Sequence, residues 1–206
     1  GAVFCLLFAL ASCVFAVEES NEKPLAGKKA LLIIASKDFK GSEYADTKKI
    51  LEEAGVKVET ASSSLSEAVS MNGKVKVTPD VTIDNASAKD YHAVIVVGGV
   101  GVSEYYAHAR SHELLKSAFE EGKVVAAICL GPIVLAEAGV LKEKRATCFG
   151  SEGKKRLEKK GAETSSEHVV RDGKIVTADG PAAAEDFARK ILEVLKENVE
   201  TRESSK

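Results

Sequence analysis

The chain has 206 residues, with 29 Lys and Arg against 31 Asp and Glu, four cysteines and no tryptophan. That length suits one domain of ordinary size with short tails. The near balance of charge, with no basic block or aromatic ladder, argues against nucleic acid and against an anionic membrane surface, and favours a small molecule or another protein as partner.

The opening segment, GAVFCLLFALASCVFAVEESNEK, is apolar over residues 1–16 and then turns abruptly polar. An apolar stretch of this length matches the central region of a signal peptide and falls short of the ~20 residues of a spanning helix. Residues 1–16 are therefore expected to be a signal peptide truncated at its start. Cleavage after Ala16 would export the chain to the periplasm, the secretory pathway or the medium. LASC at 10–13 also resembles a lipoprotein box, which would anchor the chain through Cys13. Residues 17–27 read as a linker, 28–197 as the domain with no membrane span, and 198–206 as a polar tail.

From Lys28 onward short apolar runs alternate with amphipathic segments. ALLIIA (30–35) suits a strand covered on both faces, and SEYADTKKILEEAG (42–55) a helix stopped by Gly55. VKVETA follows as a second strand. GKVKVTPDVTI (73–83) alternates but contains Pro79, which predicts an edge hairpin rather than central sheet. AVIVVGG (93–99) is a further buried strand ending in paired glycines, and SEYYAHARSHELLKSAFEEGK (103–123) reads as one long helix. VVAAI (124–128) is the strand before Cys129, and PIVLAEAGVL begins the helix after it. RATCF is a short strand and SEGKKRLEKKG a helix. HVVRDG and KIVTA are two strands around an Asp-Gly turn, and PAAAEDFARKILEVLKENV is the closing helix. Parallel neighbours need crossovers, usually helical, so this alternation predicts an α/β fold: a three-layer α/β/α sandwich around a flavodoxin-like, mostly parallel sheet.

Ligands of such sheets bind beyond the carboxyl ends of the strands. Three distant features reach that edge: Cys129 after VVAAI, Gly98 and Gly99 after VIVV, and the loop SKDFKGSE after the first strand. AICLGP (127–132) is a variant of the nucleophile elbow, a sharp strand-to-helix turn that presents one side chain. Bulk at Ala127 or Gly131 would collide as the backbone doubles back. The amino end of the next helix is expected to favour thiolate at Cys129, although an inert packed thiol is the commoner fate of a cysteine. Gly98 and Gly99 would let backbone N–H groups approach a developing oxyanion. Glu43, early in the first helix, is the acid best placed to hydrogen-bond Cys129, with Asp38 in reserve. His108 and His112 are spaced to share a helix face, as a metal would ask, but no third ligand follows from spacing. Neither metal nor cofactor is expected. Cys129 and Cys148 could pair only if their strands bring them together, since Cys5 and Cys13 lie in the leader.

AAICLGPIVLAEAGVLKEKRATCF, AVIVVGG and GKIVTADGPAAAEDFARKILEVL together resemble the DJ-1/PfpI (ThiJ) superfamily, over about residues 28–197. The resemblance implies that Cys129 is a nucleophile or oxidisable thiol and that Glu43 is its protonated or proton-shuttling partner. Gly99 and Leu130 would supply backbone N–H groups, and Lys40 falls where some relatives carry another acid. It also implies a homodimer or larger assembly. The chain departs from the pattern at two places. Protease-like members carry His directly after the cysteine, where this chain has Leu130; members closer to DJ-1 carry His after the next strand, where this chain has Phe149. His92, His108, His112 and His168 match neither position. Peptide hydrolysis asks for a base and an acid, so a cysteine peptidase is the weaker reading. A glutamine amidotransferase needs a late His-x-Glu, and Glu167-His168 stands in the wrong order. Small reactive carbonyls such as methylglyoxal ask for less: a thiolate to add and one carboxyl group to move a proton, as in glyoxalase or deglycase chemistry. The alternative is a noncatalytic redox sensor or chaperone-like stress protein in which Cys129 oxidises to a sulfinate.

Overall fold

The computed structural model describes residues 23 and 25–203. The chain runs through β1 (Lys29–Ile33), β2 (Lys37–Phe39), α1 (Gly41–Glu53), β3 (Lys57–Ser62), β4 (Ala68–Ser70), β5 (Lys76–Val77) and β6 (Val81–Thr82). It continues through β7 (Ala93–Val96), α2 (Ala109–Glu120), β8 (Val124–Ile128), α3 (Pro132–Glu137), β9 (Arg145–Ala146) and α4 (Gly150–Lys159). β10 (Glu163–Thr164), β11 (Val169–Asp172), β12 (Ile175–Ala178) and α5 (Ala184–Glu203) complete it.

The central sheet has the order β11-β12-β8-β7-β1-β3-β6, and every neighbouring pair is parallel except β11 with β12. Successive strand residues point to opposite faces. Leu31, Ile33, Val94, Val96, Val125 and Ala127 accordingly pack with Leu114 and Leu115 of α2, Ile133 of α3 and Leu157 of α4. Leu32, Ile34, Ile95, Ala126 and Ile128 pack with Leu51 of α1 and with Phe187, Ile191 and Val194 of α5. A strand buried on both sides has no polar face to show, which is why β1, β7 and β8 are unbroken apolar runs. The result is the expected α/β/α sandwich.

Two stretches differ from expectation. Residues 73–83 form no hairpin with each other: β5 pairs antiparallel with β4 in a small sheet of order β2-β4-β5, while β6 joins the main sheet parallel to β3. Pro79 lies where the chain leaves one sheet for the other, a position that needs no ladder donor. The long helix expected over 103–123 is broken. Residues Val100–Tyr105 form a 3-10 turn, and α2 starts only after His108, whose Nδ1 accepts from the Ser111 backbone N–H at 3.2 Å. Capping by an imidazole replaces the usual hydroxyl or carboxylate cap.

At the ends, Leu25 of the expected linker is buried, with its N–H bonded to the Ala54 carbonyl at 3.1 Å. α5 runs on to Glu203, into the stretch read as a tail. The proposed signal peptide, its cleavage point, Cys5 and the lipoprotein cysteine Cys13 lie outside the described residues. Among the described residues no helix is long and apolar enough to cross a membrane.

Candidate active site

β8 ends at Ile128, and the next residue, Cys129, adopts φ +62°. A residue with a side chain rarely occupies this left-handed region unless its surroundings enforce it, and strand-end nucleophiles are such a case. Here the surroundings are explicit. The Cys129 N–H donates to the Ala178 carbonyl at 2.9 Å, which ties the elbow to the end of β12. The Cys129 carbonyl accepts from the Phe149 N–H at 2.9 Å and from the Cys148 thiol at 3.1 Å. A Cβ on Gly131 would lie 2.8 Å from the Val96 carbonyl oxygen, 2.9 Å from that of Ile128 and 3.3 Å from the Ala127 methyl, so the turn closes only with small residues there.

α1 turns Glu43, Tyr44, Thr47 and Leu51 inward, which sets a carboxyl group on an otherwise core-facing stripe. Glu43 has no exposed surface. Its Oε2 accepts from the Gly98 N–H at 3.1 Å, and its buried Oε1 has no hydrogen-bond partner among the described residues. The Cys129 thiol is the neighbouring ionisable group: both reach the space over Gly98, and each bears on the other's protonation. The two glycines after β7 thus divide their work rather than acting as a pair of oxyanion donors. The N–H of Gly98 holds the acid, whereas the N–H groups of Gly99 and Leu130 are directed at the Cys129 sulfur. Gly99 has φ +104°, and a Cβ there would lie 2.4 Å from the Asp38 carbonyl oxygen and 2.6 Å from the Lys40 nitrogen. Asp38, the reserve acid, meets the site through that carbonyl; its side chain is exposed and stands outside the cavity over Cys129.

Burial raises the Glu43 pKa to about 7, against the opposing pull of the Gly98 N–H, the thiol and the Lys40 charge. Burial also pushes the Cys129 thiol up, and the neighbouring carboxylate pushes it further, while the Gly99 and Leu130 N–H groups hold it down. The lowering expected from the helix end does not prevail. α3 is only six residues long, and the sulfur is nearly enclosed, so desolvation outweighs a short helix. Thiol and carboxyl therefore compete for one proton as a coupled pair.

Above the sulfur lies a cavity of about 140 Å³, with Leu130 and Pro181 in its wall and Met71, Val100 and Phe149 at its rim. Lys40 is the charged residue of the lining. Phe149 stands with its ring beside Gly180, where an added Cβ would lie 3.3 Å from Cδ2. None of the four histidines lines this cavity. His92 Nδ1 accepts from the Lys29 N–H, His108 caps α2, His112 Nε2 meets the Tyr105 carbonyl, and His168 Nδ1 meets Asp179 Oδ2 at 2.8 Å. Cys129 and Cys148 are both free thiols rather than a disulfide. Among the described residues no group of His, Cys, Asp and Glu could hold a metal ion. The elbow clamp by Cys148 and the rim positions of Met71 and Val100 carry no local sequence signal.

A cysteine at positive φ on the carboxyl edge of a doubly covered, mostly parallel sheet defines an α/β/α protein with a strand-end elbow. Within that class the chain belongs to the DJ-1/PfpI family, whose family model matches residues 28–194. It is 38% identical to protein MJ0967 of Methanocaldococcus jannaschii, over 97% of this chain and 98% of that one. It is 32% identical to the glutathione-independent glyoxalase DJR-1.2 of Caenorhabditis elegans, over 82% and 90% of the two chains. Among solved structures, a ThiJ/PfpI domain protein from Brachyspira murdochii superposes with a TM-score of 0.80 at 32% identity, covering 83% of this chain and 99% of that one.

Proposed function

We propose that Cys129 and Glu43 act as a dyad on small reactive carbonyls, in the manner of a glutathione-independent glyoxalase. The observation that carries this reading is the fully buried Glu43 carboxyl, its Oε1 without a partner among the described residues, set across Gly98 from the cysteine that lines the cavity. With a 2-oxoaldehyde, the sulfur bonds to the aldehyde carbon while the thiol proton passes by way of Glu43 to the oxygen, which gives a hemithioacetal. The N–H groups of Gly99 and Leu130, which lie by the sulfur, would donate to that oxygen as it gains charge. Glu43 then takes the proton from the hemithioacetal carbon and returns it to the adjacent carbon, leaving a thioester of a 2-hydroxy acid. Water cleaves the thioester, releasing the acid and restoring the thiol. One relative is named a glyoxalase, which supports the reaction class, while another is named a putative cysteine protease.

A second reading rests on the absence of any histidine from the cavity lining. Without a second base the same cysteine would serve as a peroxide sensor, its sulfinate held by the protonated Glu43 and the two N–H groups. Conversion of methylglyoxal to lactate by wild type, Cys129→Ala and Glu43→Gln, with intact mass after mild peroxide, separates the two. Turnover lost in both variants supports the enzyme. No turnover in wild type, with a two-oxygen adduct on Cys129, transfers the site to the sensor. The leader adds the expectation that this chemistry runs outside the cytoplasm, which the amino-terminal sequence of the mature protein from its native host tests.

A further inference from the structure

Among the described residues five large apolar side chains stand exposed, and three of them ring one cavity. Met71 is 47% exposed, Val100 55% and Phe149 53%, around a cysteine that is only 7% exposed. The other two, Leu65 and Phe119, lie elsewhere. The three reach the rim from unrelated segments: Met71 from the small sheet, where its N–H bonds the Phe39 carbonyl at 3.0 Å, Val100 from the turn after β7, and Phe149 from the residue that clamps the elbow. Exposed apolar side chains scattered singly need no explanation, but a ring of them over a reactive group does.

The rest of the lining sharpens the point. It holds no serine, threonine, asparagine, glutamine or arginine side chain, so beyond Lys40 and the N–H groups beside the sulfur neither the hydroxyls of a sugar nor a phosphate would find a partner. A buried polar group without a partner costs binding energy, whereas an apolar substituent is favoured by every wall of this mouth. We infer that the site selects carbonyl compounds bearing an apolar substituent, an aryl or branched-alkyl 2-oxoaldehyde rather than a sugar-like or phosphorylated one, with Met71, Val100 and Phe149 as the specificity-determining side chains. This rests on the reading of Cys129 as the thiol that attacks the carbonyl.

The test has two arms. In the first, kcat/KM is compared for phenylglyoxal and methylglyoxal; the expected preference for phenylglyoxal is about tenfold or more, the scale on which apolar pockets discriminate. The second arm is independent of turnover: alkylation of Cys129 by N-benzyl iodoacetamide and by iodoacetamide is followed by peptide mass spectrometry, each rate divided by that of free glutathione. The benzyl reagent should be favoured in wild type, and the preference should collapse in a Met71→Ser, Val100→Ser, Phe149→Ser triple variant, whose changes lie on the surface. Equal normalised rates in wild type, or a preference that survives the triple variant, would overturn the inference. So would labelling that slows as protein concentration rises, because a second copy would then cover the mouth. A clear labelling preference with neither aldehyde turned over would sink the carbonyl chemistry while leaving the apolar selectivity standing.

Discussion

Glu43 and Cys129 close on Gly98 from two sides: a Cβ at that glycine would lie 2.5 Å from the Cys129 Cβ and 2.7 Å from Glu43 Oε2. The acid and the thiol approach each other only because the residue between them has no side chain. Gly98→Ala is therefore expected to wedge the dyad apart, at a cost to stability of roughly 1–3 kcal/mol from overpacking. Methylglyoxal turnover should fall at least about a hundredfold, the scale of a lost acid–base partner. Circular dichroism should still show a folded chain, and an unchanged kcat/KM in a folded variant would count against the contact's importance.

The coupled proton sets a pH profile. Below the Glu43 pKa of about 7 both thiol and carboxyl are protonated, and no group can take the thiol proton when sulfur adds to the carbonyl. Once the pair has lost one proton, the reactive form exists whichever atom carries the remaining one. The kcat/KM for methylglyoxal should rise with pH and level off above about 7. Glu43→Gln should flatten that limb along with most of the activity. A profile that is level from pH 5 to 8 in the wild type would detach Glu43 from the reaction.

Cys148 holds the elbow from behind, since its thiol donates to the Cys129 carbonyl and it has no exposed surface. Cys148→Ala removes one of the two donors on that carbonyl and leaves a small void, which together should lower stability by roughly 1–2 kcal/mol. Cys148→Ser keeps a donor and should recover part of the loss. Thermal or urea unfolding of the two variants decides the matter; equal losses would mean that packing alone, not the hydrogen bond, is at stake.

Much of this architecture was legible because the strands near the site are buried on both faces. β1, β7 and β8 could hardly read otherwise than as apolar runs, and the elbow followed from a cysteine between small residues at the end of one of them. Glu43 was picked out by its place at the start of the first helix and by the family resemblance, and α1 turns it inward with Tyr44, Thr47 and Leu51. The protonation of the pair was not. A helix amino end can be read from residue order, but the desolvation that outweighs it depends on how completely α1, β7 and the elbow enclose the sulfur. Two-residue strands such as β5 and β6 carry too little periodicity to be assigned to separate sheets. Met71 and Val100 come to the rim through long-range packing that has no counterpart in local sequence.

Phe149 marks what the cavity lacks. Its N–H bonds the Cys129 carbonyl at 2.9 Å and its side chain lines the mouth, so an imidazole there would stand over the reacting carbonyl. Phe149→His keeps the backbone bond and introduces a base that titrates near neutrality. Turnover of methylglyoxal is expected to increase by about tenfold or more, with a new inflection near pH 6.5 in the rate profile. A variant that turns over no faster than the wild type, with that inflection absent, would mean the imidazole does not reach the hemithioacetal.

Burying an ionisable acid for chemistry should be visible in stability as well. The Glu43 carboxyl has a folded pKa of about 7 against an ordinary value of 4.5. Between those values the unfolded chain releases a proton that the folded chain keeps, so stability falls as pH rises through this window and the loss is complete above it. The full penalty corresponds to about 3 kcal/mol. Glu43→Gln keeps the acceptor for the Gly98 N–H but cannot ionise, so it should match the wild type near pH 4.5 and exceed its stability by up to that amount at pH 8. Urea unfolding at both pH values measures the difference directly. A variant less stable than the wild type at pH 8 would show that the carboxylate is welcome in the fold, and that its burial is no sacrifice of stability to reactivity.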